Sequence, residues 1–234
     1  MFIKLAEKLH VLPSDQTAFR HEIGTRMVAV DLDGRGSLFV HSAVKAGLPA
    51  LKTLGSPAHF AIPNKWRRGP VAEIKAAYPD AKFYGAPDLE KLEKLVEVEA
   101  IRPGATYPWS GALDHLVLEG IPFFNEVAFF HRESRTLLLA DVAGYLYDGG
   151  PLTAQLAMKL LKAGAHPGWS ASEKKLYVRD RKTFEASLAK MLQWDFKRVL
   201  VAHGPRLEND ARAQLTEILM PAAADAAAGT EPVP

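Results

Sequence analysis

Cysteine is absent from this sequence of 234 residues. Its absence excludes disulfides, a zinc knuckle and a thiol nucleophile, and is neutral about compartment. Long apolar runs are lacking as well: no stretch of ~18 uncharged apolar residues occurs, so no bilayer-spanning helix is expected. Charge of one sign is scarce, with 29 Lys and Arg against 27 Asp and Glu, a formal net charge of +2. So small an excess argues against nucleic acid and membrane surfaces as partners. The opening MFIKLAEKLHVLPS has no unbroken apolar core of the kind a secretory leader carries, because Lys4, Glu7 and Lys8 interrupt it. A soluble cytoplasmic protein is the expectation.

What is present suits a globular chain. Hydrophobic residues make up 48% and charged residues 24%, enough apolar material for a sizeable core. The length allows one large domain or two small ones. Met27–Asp33 and Ser37–His41 read as strands joined through Asp33-Gly34-Arg35-Gly36, a hairpin signal. Pro49–Leu54 suits a short helix closed by Gly55, and Ala58–Ile62 a strand. Pro70 fits a first helical turn, and Val71, Ile74, Ala77 and Tyr78 follow at helical spacing. Pro79-Asp80 ends that helix before a strand at Lys82–Tyr84, and Leu89, Leu92 and Leu95 mark a second helix. IRPGATYPWSG (101–111) is loop by composition.

Strands are then expected at Leu113–Leu118, Val127–Phe130 and Thr136–Leu139. Helices are expected around Leu152, Leu156 and Leu160, around Phe184, Leu188, Met191 and Leu192, and around Leu215, Ile218 and Leu219. Val199–Ala202 is a short all-apolar strand between the last two helices. Aromatic pairs such as Phe123-Phe124 and Phe129-Phe130 are expected in the core. The last stretch, PAAADAAAGTEPVP, is of low complexity and expected to be a disordered tail. Helices must cover sheet faces, so the order of elements predicts a layered α/β protein: two sheets with helices outside.

Two strand exits stand out. TLLLA ends in Asp141 and VLVA ends in His203. A polar group at the end of a buried strand is held rigidly and still reaches solvent, which is how sites are built on sheets. Asp141 could instead cap the following segment, and His203 could bond a neighbouring backbone group. Other motifs are weak. Gly168-Trp169-Ser170-Ala171-Ser172 lacks the last glycine and preceding strand of a nucleophile elbow. Gly34-Arg35-Gly36 lacks a third glycine at dinucleotide spacing. His10, His21, His59 and His166 have no metal-ligand spacing, and His115 and His131 read as structural.

Three stretches, HRESRTLLLAD (131–141), RVLVAHG (198–204) and IPNKWRRGPVAEIKAAYPDAKFYGAP (62–87), resemble the metallo-β-lactamase-like superfamily, and in particular a divergent bacterial branch of it. The resemblance runs from about Gly24 to Leu219. It implies a four-layer αββα sandwich, formed by a single domain over residues 1–220 with the tail at 221–234. It also implies metal-assisted hydrolysis and equates Asp141 with a metal-bridging aspartate and His203 with a metal-binding histidine. The superfamily's His-x-His-x-Asp-His loop falls at PNKWRRG, which has neither histidine nor aspartate, and Arg67 and Arg68 stand where the divergent branch tends to carry a His-His pair. The superfamily's third histidine normally stands just before the strand at 127–130, and Gly120-Ile121-Pro122-Phe123-Phe124 holds none.

A catalytic zinc needs about three protein ligands and an open position. Asp141 and His203 supply two, with Asn64 as a neutral substitute, while two guanidinium groups would repel a dication. Glu126, His131 and His41 could complete an unusual site. Two functions follow as expectations. One is a hydrolase-like protein with a degenerate site, holding one divalent metal (zinc, manganese or iron) through Asp141 and His203. The alternative is a metal-free, non-catalytic relative that binds a small anionic ligand through Asn64, Arg67, Arg68 and His41, or a protein partner.

Overall fold

The alternation of side chains along the strands builds two sheets from this chain. The computed structural model describes residues 1–14, 17–18, 21–22, 25–33, 37–143, 169 and 171–220. The turn at 34–36, the helix expected around Leu152, Leu156 and Leu160, most of the elbow-like 168–172 stretch and the tail lie outside the described residues, wholly or in part.

The larger sheet has seven strands in the order β1 (Ile3–Ala6), β2 (Leu9–Ser14), β5 (Thr25–Asp31), β6 (Ser37–His41), β7 (Ser56–Ile62), β8 (Lys82–Gly85) and β9 (Val98–Ala100). A two-stranded pair, β3 (Thr17–Ala18) and β4 (His21–Glu22), lies between β2 and β5 in sequence. The smaller sheet has four strands: β10 (Leu113–Leu118), β11 (Glu126–His131), β12 (Thr136–Leu138) and β13 (Arg198–Leu200). β5 and β6 pair antiparallel, whereas β6, β7, β8 and β9 run parallel. The parallel crossovers carry α1 (Leu48–Leu51), α2 (Val71–Ala77) and α3 (Leu89–Leu92). After β12 come α4 (Ala171–Tyr177) and α5 (Arg181–Leu192), then β13, parallel to β12, and α6 (Ala211–Leu219).

Period-two geometry assigns every central strand two buried faces. Val28, Val30 and Phe39 meet Val127, Phe129, Leu138 and Leu200 between the sheets. Met27, Ala29, Leu38 and Val40 face the other way, onto Leu48, Leu51, Val71, Ile74 and Leu89. Ala128, Phe130, Leu137 and Val199 face Phe184, Leu188, Met191 and Leu215. The result is the expected order of layers: helices, sheet, sheet, helices. Trp109 fills the centre between the sheets, stacked on Tyr107 with centroids 4.8 Å apart and edge-on to Tyr84 at 4.6 Å.

Two local expectations fail, and the N-terminal segment, for which no element was expected, forms strands. The helix through Leu89, Leu92 and Leu95 is one turn long, and Leu92 and Leu95 are exposed. Glu93 leaves the helical region, and its carboxylate accepts the N–H groups of Lys94 (2.9 Å) and Leu95 (2.8 Å), offering the backbone a turn in place of helix. The N-terminal segment pairs as β1 and β2, with Leu9 and Val11 facing the inter-sheet core. Phe123 is 51% exposed, unlike its buried neighbour Phe124.

Gly120 locks the smaller sheet to α5. Its φ is +83°, and a Cβ there would lie 2.3 Å from the carbonyl oxygen of Asp180 and 2.8 Å from the nitrogen of Phe184. Both are backbone atoms and cannot yield. Gly120→Ala is therefore expected to destabilise the protein by about 2 kcal/mol, measured by urea denaturation; an unchanged midpoint would show that the turn relaxes freely.

Candidate functional site

The loop after β7 ties the two sheets together at one end. The N–H of Val127 donates to Pro63 O at 2.9 Å, and the N–H of Lys65 donates to Phe124 O at 2.8 Å. This brings Asn64 onto Glu126, the first residue of β11. Asp141 follows β12, His203 follows β13, and His41 ends β6, so all of these groups gather at the same rim.

Glu126 is fully buried and organises that rim. Its Oε1 accepts the N–H of Ala140 at 2.8 Å. Its Oε2 accepts from the N–H groups of Asp141 (2.8 Å) and Val142 (3.0 Å) and from Asn64 Nδ2 (3.0 Å). Burial and the nearby Asp141 carboxylate push the Glu126 carboxyl up to about 7, against the pull of its donors.

Asn64 is saturated in one orientation. Its Nδ2 donates both to Glu126 and to Asp141 Oδ2 (2.8 Å), and its Oδ1 accepts the N–H groups of Trp66 and Arg67, each at 3.0 Å. That Asx turn aims the Arg67 side chain inward. Gly69 closes the loop with φ +66° against Ala43 O, 2.9 Å from where a Cβ would sit.

Arg67 then spans the centre of the site. Its Nε donates to Asp141 Oδ2 at 2.9 Å and its Nη2 to Asp141 Oδ1 at 2.6 Å, a bidentate fork. The same Nη2 contacts His203 Nε2. Guanidinium has donors only, so this histidine nitrogen is the acceptor and the ring proton belongs on Nδ1. Burial opposes ionisation of Asp141, but the bonds and charge of Arg67 outweigh it and hold the carboxyl below the ordinary carboxylate range. Arg26 fixes the turn that carries His203, donating to Val201 O and, at 2.9 Å, to Gly204 O. Trp169 Nε1 donates to Asp141 O at 3.0 Å.

Asp141, His203, Asn64 and Arg67 thus meet directly. His41 is buried nearby, edge-on to Phe129 at 5.6 Å, with no hydrogen-bond partner at Nε2. Burial and the Arg67 charge hold it neutral, its pKa down to about 3. Arg68 points out and is exposed, so the two arginines do not form one anion fork. Among the described residues the Asp141 carboxylate accepts from Arg67 and Asn64; the segment it was expected to cap lies largely outside them. His131 Nδ1 pairs with Ser134 Oγ at 2.7 Å, a structural bond at a hairpin end.

A divalent metal does not fit this arrangement. Asn64 turns its amide N–H groups, not its oxygen, toward the carboxylates, so it offers no ligand there. The Arg67 guanidinium fills the space between Asp141 and His203. Among the described residues no group of three or more His, Cys, Asp or Glu side chains is placed to hold a metal ion. Sequence reasoning missed the anchoring role of Glu126 and the part of Arg26; a glutamate opening the apolar run EVAFF was the available signal for the first.

No family model and no curated protein matches the sequence. Solved structures do match. A fragment of a Nostoc sp. protein named as a diflavin flavoprotein is similar with a TM-score of 0.67 at 14% identity, over 99% of this chain and 98% of that one. A metallo-β-lactamase from Pontibacter korlensis is similar with a TM-score of 0.62 at 12% identity, over 94% and 98%. A flavoprotein from Thermotoga maritima is similar with a TM-score of 0.66 at 13% identity, over 94% of this chain but 60% of its own length. With its two facing sheets and outer helices, the chain has the metallo-β-lactamase fold.

Proposed function

We propose that this chain is a metal-free relative of metallo-β-lactamase-fold hydrolases that acts by binding, without metal-assisted hydrolysis. The observation that carries this reading is the Arg67 guanidinium lodged between Asp141 and His203. It occupies the place a dication would need and satisfies the two groups that would hold it. The other reading, a hydrolase-like protein with one zinc, manganese or iron on Asp141 and His203, has two ligands where about three are needed. What the loop turns outward is Arg68 and the half-exposed Trp66, and these are the groups a small anionic ligand or a protein partner would meet. No helix among the described residues is long and apolar enough to cross a membrane.

The test is metal content by mass spectrometry on untagged protein, purified without chelator from cells supplied with zinc, manganese and iron. Asp141→Asn is measured beside it. Metal far below one ion per chain is expected in both. About one ion per chain in the native protein, lost in Asp141→Asn, would overturn the reading and restore the hydrolase.

A further inference from the structure

The rim of the site is built as a receptor for one particular cation. The Asp141 carboxylate presents both oxygens in one plane to two N–H groups of the same guanidinium, at 2.9 and 2.6 Å. His203 adds a neutral acceptor on the far side of Nη2. Asn64 holds Asp141 from behind with an N–H at 2.8 Å, and is itself held by Glu126. Every oriented group faces a planar donor. A spherical dication would find two ligands, while a planar monocation with paired N–H donors finds a carboxylate fork and an acceptor. The Arg67 and Asp141 side chains are 16% and 13% exposed, so the receptor opens to solvent once the arginine is shortened.

We propose that Asp141, His203 and the Asn64–Glu126 pair form a guanidinium-binding site, which Arg67 fills from within its own chain. The class of ligand is the guanidinium or amidinium cation, and in the native protein the tethered side chain excludes it. The inference rests on the metal-free reading and deepens it, because it names what the centre selects in place of a metal. The two can fail separately. Metal in the native protein overturns the function; a shortened Arg67 that leaves the site indifferent to guanidinium overturns only this proposal.

The experiment uses the full chain as Arg67→Ala, melted in guanidinium chloride from about 1 to 50 mM, far below denaturing concentrations. Sodium chloride at matched ionic strength, urea, and zinc chloride serve as comparisons. Guanidinium is expected to raise the melting temperature of Arg67→Ala saturably by about 3 °C. Sodium chloride and urea should not, and the native chain should show no such rise. Arg67→Ala with Asp141→Asn should lose the effect. No saturable rise, an equal rise with sodium chloride or urea, or a rise with zinc alone would each overturn the proposal. Should Arg67→Ala be recovered only as insoluble chain, refolding yield is compared in the same solutions, and equal yields in guanidinium and sodium chloride overturn it.

Discussion

Glu126→Ala is expected to destabilise the protein by about 4 kcal/mol, because truncation removes the acceptor of three buried backbone N–H groups and one of the two acceptors of the Asn64 amide. The carboxylate collects the N–H groups of Ala140, Asp141 and Val142 and the amide of Asn64. These come from the end of β12 and the loop after β7, which belong to different sheets, so one side chain closes the rim of the sandwich. Urea denaturation reads the loss. A change under 1 kcal/mol would mean that water satisfies these groups and that Glu126 is not the anchor. Titration gives a second handle. The Glu126 carboxyl lies at about 7, against an ordinary value of 4.5. The folded chain therefore binds this proton more tightly than the unfolded chain does. The stability it contributes is full below about 4.5 and is lost as the pH rises to about 7. Native protein should show that falling component, and Glu126→Gln, which cannot titrate, should lack it.

Much of the fold was legible because the buried strands of the smaller sheet are short apolar runs. Val127, Ala128, Phe129 and Phe130 are all apolar, and the buried strand they form has two faces, each covered by its own layer. The exits at Asp141 and His203 could be picked out for the same reason: each polar residue ends an apolar run. Elements set by a single local bond were not legible. The one-turn α3 depends on the Glu93 carboxylate choosing its own backbone, and nothing in the leucine spacing announces that. The direction of the arginines was hidden as well. Arg67 and Arg68 are equivalent in sequence, and only the Asn64 turn and a carboxylate 74 residues away send the first inward and leave the second outside. Asn64 also reads as a neutral ligand until its amide is seen to face two carboxylates. Long-range satisfaction of this kind belongs to packing, and periodicity does not carry it.

Breaking the central ion pair from either side should be worse than removing it whole. Asp141→Leu leaves the Arg67 guanidinium and the Asn64 amide facing apolar atoms, and Arg67→Met leaves a buried carboxylate whose remaining hydrogen bond among the described residues comes from Asn64. Each single change is expected to destabilise the protein by about 3 kcal/mol, the range found when one partner of a buried pair is lost. The double variant Arg67→Met with Asp141→Leu restores matched, uncharged neighbours and should lie only about 1 kcal/mol below the native protein. Acid should reproduce the Asp141 arm without mutation. Its folded carboxyl is held below the ordinary range, so the stability it contributes is present above about pH 4 and is lost as the pH falls through the lower folded value. The double variant should lack that acid loss. Single variants whose effects simply add in the double would mean that the guanidinium and the carboxylate are solvated independently, and a cation would then no longer be the element that holds this rim closed.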